Sequence, residues 1–162
     1  MPRLPRISIQ GILYYITCHA RERKHLFKDD EDYRTYIRLL AETRQTHVIS
    51  LFAYTLLPTH LHLVIELGPG SSISEIMQAV NNAYTKYFNG KYHRKGGVFR
   101  GRYKISYVEK EPYLVRLTRH VHLNGKALRL SRTADGYRYS SCGAYVAPEL
   151  PAENPDLREE VK

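Results

Sequence analysis

Apolar positions repeat with two different periods along this chain, and the change from one to the other divides it into elements. Residues 7–18 (ISIQGILYYITC), rich in Ile and Tyr, predict a strand. A mostly basic turn follows from Arg21 to Lys24. Asp29 and Asp30 supply an N-cap, and Tyr33, Ile37 and Leu40 recur at helical spacing, which predicts a helix over 30–46. Residues 48–57 (VISLFAYTLL) read as a second strand that Pro58-Thr59 breaks. Residues 61–67 (LHLVIEL) alternate as a third, ending at Gly68-Pro69-Gly70. Ser72-Ile73-Ser74-Glu75 has the spacing of a capping box, and Ile76, Val80, Tyr84, Tyr87 and Phe88 continue as a helix to Asn89-Gly90. A basic, glycine-containing loop leads to a fourth strand over 98–109. Pro112 suits the first turn of a third helix ending at Asn124, with Gly125 as its C′ residue. Residues 127–145 read as irregular, and an acidic, proline-rich tail over 146–162 is expected to be mobile.

The order β-α-β-β-α-β plus a C-terminal helix is that of the ferredoxin-like split βαβ unit, an α+β fold. Both crossover helices are expected on one face of an antiparallel sheet. The other face is then left for a ligand or for the last helix. Residues two apart in a strand point the same way. Leu61, Leu63, Ile65 and Leu67 therefore predict the core face, and His60, His62, Val64 and Glu66 the opposite one. Two imidazoles side by side on an open face can bind one divalent cation. Spacing alone also admits two solvent-facing histidines on a half-exposed strand. On the third helix, Tyr113, Arg116, His120 and Asn124 fall within an arc of about 80° beside the apolar stripe Leu114, Leu117 and Val121. Docking of that stripe on the open face would bring His120 and Asn124 towards His60 and His62. Tyr84, Tyr87 and Phe88 are expected in the core.

Charge changes this picture. A net charge of +9 points to a polyanionic partner. Its distribution is more telling, because no Asp or Glu occurs from Met77 to Val108. Lys91, Arg94, Lys95, Arg100, Arg102 and Lys104 lie there, interleaved with aromatic residues. Cations that hold phosphates beside rings that stack on bases are the chemistry of single-strand binding. Arg100, Arg102 and Lys104 are expected to share one face of the fourth strand and contact phosphate, as are Lys91, Arg94 and Lys95 from the preceding loop. A solvated basic strand edge is the plainer alternative. Arg3 and Arg6 could reach a groove. Cys18 and Cys142 form no Cys-x-x-Cys, so neither a disulfide framework nor a zinc knuckle is expected. No apolar run reaches the roughly 20 residues that span a bilayer, and no signal peptide is read.

Four stretches together resemble the single-tyrosine HUH transposases, in particular the REP-associated tyrosine transposases. They are His60-Leu61-His62 after Leu57-Pro58, Gly97-Val98-Phe99-Arg100-Gly101-Arg102-Tyr103-Lys104, Arg119-His120-Val121-His122-Leu123-Asn124, and Tyr139-Ser140-Ser141-Cys142-Gly143-Ala144-Tyr145. Each alone is weakly specific. Their order and spacing are specific, and they span roughly residues 7–145. The resemblance implies one domain over 1–145 that binds hairpin or single-stranded DNA, with Mg2+ or Mn2+ on His60, His62 and Asn124. It implies strand cleavage and transfer through a covalent protein–DNA intermediate, in a cytoplasmic, nucleoid-associated monomer or homodimer.

The sequence departs from that pattern at the nucleophile. The family's tyrosine lies four residues before the Asn, where this chain has His120, and Gly125 replaces the usual proline. Three readings stay open. His120 attacks phosphorus itself; His120 serves as ligand or base while Tyr113 acts; or the protein binds without cutting, as a regulatory or architectural protein. A basic RNA-binding domain is a further class compatible with the same surface.

Overall fold

The computed structural model describes residue 9, residues 11–21 and residues 24–146. The arm carrying Arg3 and Arg6, and the expected acidic tail apart from Val146, lie outside the described residues. Strand β1 (Leu13–His19) is followed by helix α1 (Asp30–Glu42), β2 (Ile49–Leu57), β3 (His60–Leu67), α2 (Ile73–Lys91), β4 (Lys104–Val108), α3 (Lys110–Ala127) and the short α4 (Cys142–Val146). The sheet order is β2-β3-β1-β4 with every pair antiparallel, which is the expected α+β, ferredoxin-like arrangement.

Local chemistry sets the helix starts. Asp29 accepts the backbone N–H of Asp32 while the Asp32 carboxylate accepts that of Asp29, a reciprocal cap that starts α1. At α2 the Ser72 hydroxyl accepts from the Glu75 N–H. One sheet face then carries the main core. Leu61, Leu63, Ile65 and Leu67 of β3 and Tyr14, Ile16 and Cys18 of β1 pack there against α1 and α2. Tyr36 and Tyr84 meet edge-on beneath the two helices, with ring centres 5.2 Å apart. Burial of each large apolar side chain here contributes roughly 1.5–3 kcal/mol, so this face holds most of the stability. Tyr84 and Phe88 are buried as expected, whereas Tyr87 is only partly so.

Helix α3 covers the opposite face. Val121 joins Leu13, Ala53 and Val64 in a small second core, flanked by Leu114 and Leu117. The Thr55 hydroxyl of β2 donates to the Val121 carbonyl at 2.8 Å and ties helix to sheet.

Several expectations needed correction. β4 begins at Lys104, not residue 98. Residues 97–103 form a loop, tied by the Ala20–Phe99 bridge to the residue that follows β1. Three glycines in eight residues (Gly96, Gly97, Gly101), two with positive φ, break the alternation that a strand needs. Gly125 does not end α3, which runs on to Ala127 with Leu128 as C-cap. A Cβ at Gly125 would lie 2.5 Å from Cγ of Tyr137, so close helix–ring approach explains this glycine. Pro112 sits at a break in the backbone helix rather than in a regular first turn. Residues 127–145 are better organised than expected. Tyr139 and Ser141 pair with the outer edge of β2 through Leu56 N–H to Tyr139 O (2.9 Å) and Ser141 N–H to Tyr54 O (3.1 Å).

Candidate metal centre and nucleic-acid interface

The antiparallel register assembles the site. His62 of β3 lies between Thr55 of β2 and Thr17 of β1, and Thr17 faces Lys104 of β4. One step along, His60 is paired with His19. Directly opposed residues share a face, so His19, His60, His62, Tyr15, Thr17 and Lys104 all stand on the α3 side. The rings of His19 and His60 stack with centres 5.2 Å apart, and those of His60 and His62 meet edge-on at 5.1 Å. Helix α3 brings His120 to within 6.4 Å of His62, centre to centre.

Each histidine on β3 has its Nδ1 engaged. For His60 the partner is the Thr59 hydroxyl at 3.0 Å; for His62 it is the Tyr15 hydroxyl at 2.8 Å. Nε2 of His62 is buried and has no partner. Imidazoles that ligate metals are held in this way, one nitrogen fixed by an outer partner and the other turned to the ion. Burial, followed by the neighbouring His60, His120 and His19, pushes the His62 ring down to about 3. Burial and then His19 lower His60. Both are therefore neutral near pH 7, the form in which imidazole donates a lone pair. The donor set thus fits a divalent cation. No third His, Cys, Asp or Glu completes a cluster among the described residues. The remaining positions would fall to water and phosphate oxygens, which Mg2+ accepts readily.

Other expected residues are placed less simply. The Asn124 amide nitrogen donates to the carbonyls of His120 (2.9 Å) and Val121 (3.2 Å), leaving its oxygen as the group able to ligate. No hydrogen bond joins Asn124 to His60 or His62 among the described residues. Tyr113 is exposed on α3 and makes no ring contact or hydrogen bond to the histidines among them. Arg116 is exposed on the same helix.

The basic set divides in two. Lys91 is not a free phosphate contact. It ends α2, and its ammonium reaches Asp29 (2.8 Å), Glu31 (2.8 Å) and Asp32 (3.1 Å). Burial works against its charge, but the hydrogen bonds to Asp29, Glu31, Tyr87 and Asp32 raise its pKa overall. The run without acids hid this, because the partners lie some 60 residues earlier. Arg94 rests over the Phe88 ring at 5.4 Å, and Lys95 is exposed. Arg100 and Arg102 do not share a strand face with Lys104, since both stand in the 97–103 loop. All three are nevertheless exposed. The Arg100 N–H donates to the His19 carbonyl at 2.8 Å, and Lys104 and Arg100 add to burial in lowering the His19 ring. Arg102 lines a cleft of about 490 Å³ between α2 and the loop, with Gln78, Asn82, Phe99 and Tyr103. A basic rim thus runs from the histidines around the β4 edge.

Two residues escaped the reading of the sequence, Tyr15 and His19. Both lie on β1 at positions of the His-face parity, counted back from the buried Tyr14, Ile16 and Cys18. That parity was available, but the register that sets them against His60 and His62 was not.

A family model described as "Transposase IS200 like" matches residues 8–124. Among solved structures, a REP-associated tyrosine transposase bound to a REP hairpin superposes with a TM-score of 0.76 at 14% identity, covering 94% of this chain and 90% of that one. A candidate transposase from Deinococcus radiodurans r1 gives a TM-score of 0.51 at 16% identity, covering 74% of this chain and 95% of that one. Of the curated proteins, the Rattus norvegicus serine/threonine-protein kinase DCLK1 is 23% identical over 142 residues, and the chain spans 31% of its length. This chain has no Gly-x-Gly-x-x-Gly, His-Arg-Asp or Asp-Phe-Gly stretch, the parts on which kinase phosphoryl transfer rests. Among the described residues no helix is long and apolar enough to cross a membrane.

Proposed function

Because the chain belongs to the IS200-like transposase family, we propose that it binds hairpin-forming single-stranded DNA and breaks one phosphodiester bond at the His60–His62 face with Mg2+ or Mn2+. The observation that carries this reading is the pair of β3 imidazoles, each fixed through Nδ1, with the buried His62 Nε2 left without a partner. A hairpin ligand is favoured by the fold-level likeness to a transposase bound to a REP hairpin. Arg100, Arg102 and Lys104, with Lys95, Arg94 and Arg116, are the cations to hold phosphates. Lys91 is left out of that set because three carboxylates occupy it.

His60 and His62 would hold the cation, with the Asn124 oxygen as the third candidate ligand. Bound there, it supplies Lewis-acid polarisation of the scissile phosphate. His120 stands where the family has its tyrosine, and its Nε2 lies 3.4 Å from the Tyr15 hydroxyl. As nucleophile, His120 would form a phosphorus–nitrogen bond as the bond to O3′ breaks; O3′ takes a proton from water, and the proton on the other ring nitrogen passes to the hydroxide left behind, so the net charge is unchanged. Tyr113 is the weaker candidate, since it makes no hydrogen bond or ring contact with the histidines among the described residues. A second reading, a DNA-hairpin-binding regulatory protein without cleavage, is favoured by the replacement of the family tyrosine with His120.

The test uses an end-labelled hairpin with Mn2+ and a denaturing gel run under neutral conditions. A covalent protein–DNA band or cut strand in the natural protein, absent in His60→Ala, is expected for the enzyme. Hairpin binding without either product, with an adduct appearing in His120→Tyr, would instead establish the binding protein.

A further inference from the structure

Tyr15 stands between two histidines. Its hydroxyl is 2.8 Å from Nδ1 of His62 and 3.4 Å from Nε2 of His120. The Tyr15 and His62 rings are stacked within 5° of parallel, and the His120 ring meets Tyr15 edge-on. The three side chains come from β1, β3 and α3, so this chain joins both layers on the His face.

Counting protons shows what it can do. Each neutral imidazole carries one N–H, and the hydroxyl carries one hydrogen and accepts through oxygen. With the hydroxyl hydrogen used between the two histidines, the chain runs in one of two directions. In one, His120 Nε2–H donates to Tyr15 and Tyr15 donates to His62 Nδ1. That puts the His62 hydrogen on Nε2, a buried atom with no acceptor. In the other, His62 Nδ1–H donates to Tyr15, and Tyr15 donates to His120 Nε2. His62 Nε2 then carries a bare lone pair. An orphaned buried N–H is rarer than an under-used acceptor. Only the second direction allows Nε2 to take a cation.

We propose that Tyr15 is a positioning residue, which holds His62 as the Nδ1–H tautomer with Nε2 open to a divalent cation, and that His120 closes the chain as acceptor. The proposal rests on the reading of His62 as a ligand. In this arrangement the lone pair of His120 Nε2 is taken by Tyr15 and Nδ1 carries the hydrogen, so His120 could attack phosphorus only after the Tyr15 bond opens.

The experiment pairs calorimetric titration of Mn2+ into the full chain with nitrogen-15 NMR of the histidine rings, for the natural protein, Tyr15→Phe and His60→Ala. Tyr15→Phe keeps the ring and its stacking but removes the hydroxyl, and its melting curve checks the fold. The expected result is a loss of Mn2+ affinity of about 10–100-fold, the usual effect of removing an outer partner of a ligand histidine. His62 is expected as Nδ1–H in the natural protein, with that preference lost in Tyr15→Phe. Unchanged affinity in folded Tyr15→Phe, or an Nε2–H tautomer in the natural protein, overturns the proposal. If the natural protein takes up no Mn2+, the metal reading fails by itself. The tautomer then decides alone: Nδ1–H dependent on Tyr15 upholds the positioning role, and Nε2–H ends it.

Discussion

His62 and His122 are both buried histidines on the α3 side of the sheet, yet their surroundings differ in one respect. Nε2 of His122 meets the Ser141 hydroxyl at 2.8 Å, and its ring packs edge-on against Tyr145. Nε2 of His62 has no hydrogen-bond partner. Burial lowers both rings, to about 4 for His122 and about 3 for His62, so proton affinity does not tell them apart. The difference lies in hydrogen-bond satisfaction. His122 is finished within the fold, where it latches α3 to the 139–141 segment on the β2 edge. His62 keeps a lone pair in reserve. On α3 itself, His120 and His122 are about 200° apart around the axis, which is why one reaches the open face and the other the structural seam.

The largest expected effect lies on the unsatisfied side. His62→Ala should lower Mn2+-dependent strand breakage by more than about 100-fold, beyond the loss typical of an outer partner. Hairpin affinity measured without metal should stay close to that of the natural protein. Retained cleavage would place the cation elsewhere.

On the satisfied side the effects fall on stability. Gly125→Ala drives a Cβ into the root of the Tyr137 ring, which cannot swing aside because its hydroxyl donates to the Leu56 carbonyl at 2.7 Å. A loss of about 2–3 kcal/mol in denaturant unfolding is expected from overpacking. Ser141→Ala leaves His122 Nε2 and the Tyr54 N–H without this hydroxyl and should cost about 1–3 kcal/mol, with Mn2+ affinity unchanged. Equal damage to cation binding would erase the distinction between the two histidines.

Acid sharpens the contrast further. The His122 ring titrates near 4 when folded against 6.5 for a free imidazole. Between those values the unfolded chain binds a proton that the folded chain refuses, so stability falls as the pH drops from about 6.5 towards 4. His62 acts with the same sign. His122→Gln should flatten part of that slope in denaturation midpoints taken across the window.

The smallest effects separate cations that look alike in the sequence. Arg100→Ala with Arg102→Ala should lower hairpin affinity and reduce the salt slope by about one for each lost phosphate contact. Lys91→Ala should leave the slope intact and instead weaken the fold by about 1 kcal/mol, as Asp32 loses one of its partners. A changed slope in Lys91→Ala would return it to the interface.

The elements and the facing of β3 were legible because both are local. Alternation placed Leu61, Leu63 and Ile65 inward and His60 and His62 outward, and the helical period brought Val121 to the sheet with His120 beside it. Residues 97–103 misled because apolar and basic residues alternate there while glycines turn the backbone. What the sequence by itself determined is thus the order of elements and the paired imidazoles on one face. Only the tertiary structure decided their partners. Tyr15 and His19 reach His62 and His60 through strand register, Lys91 finds acids some 60 residues away, and Ser141 crosses to His122 from the segment laid on the β2 edge. Such pairings depend on how every strand and helix closes on the others, and no local period encodes that closure.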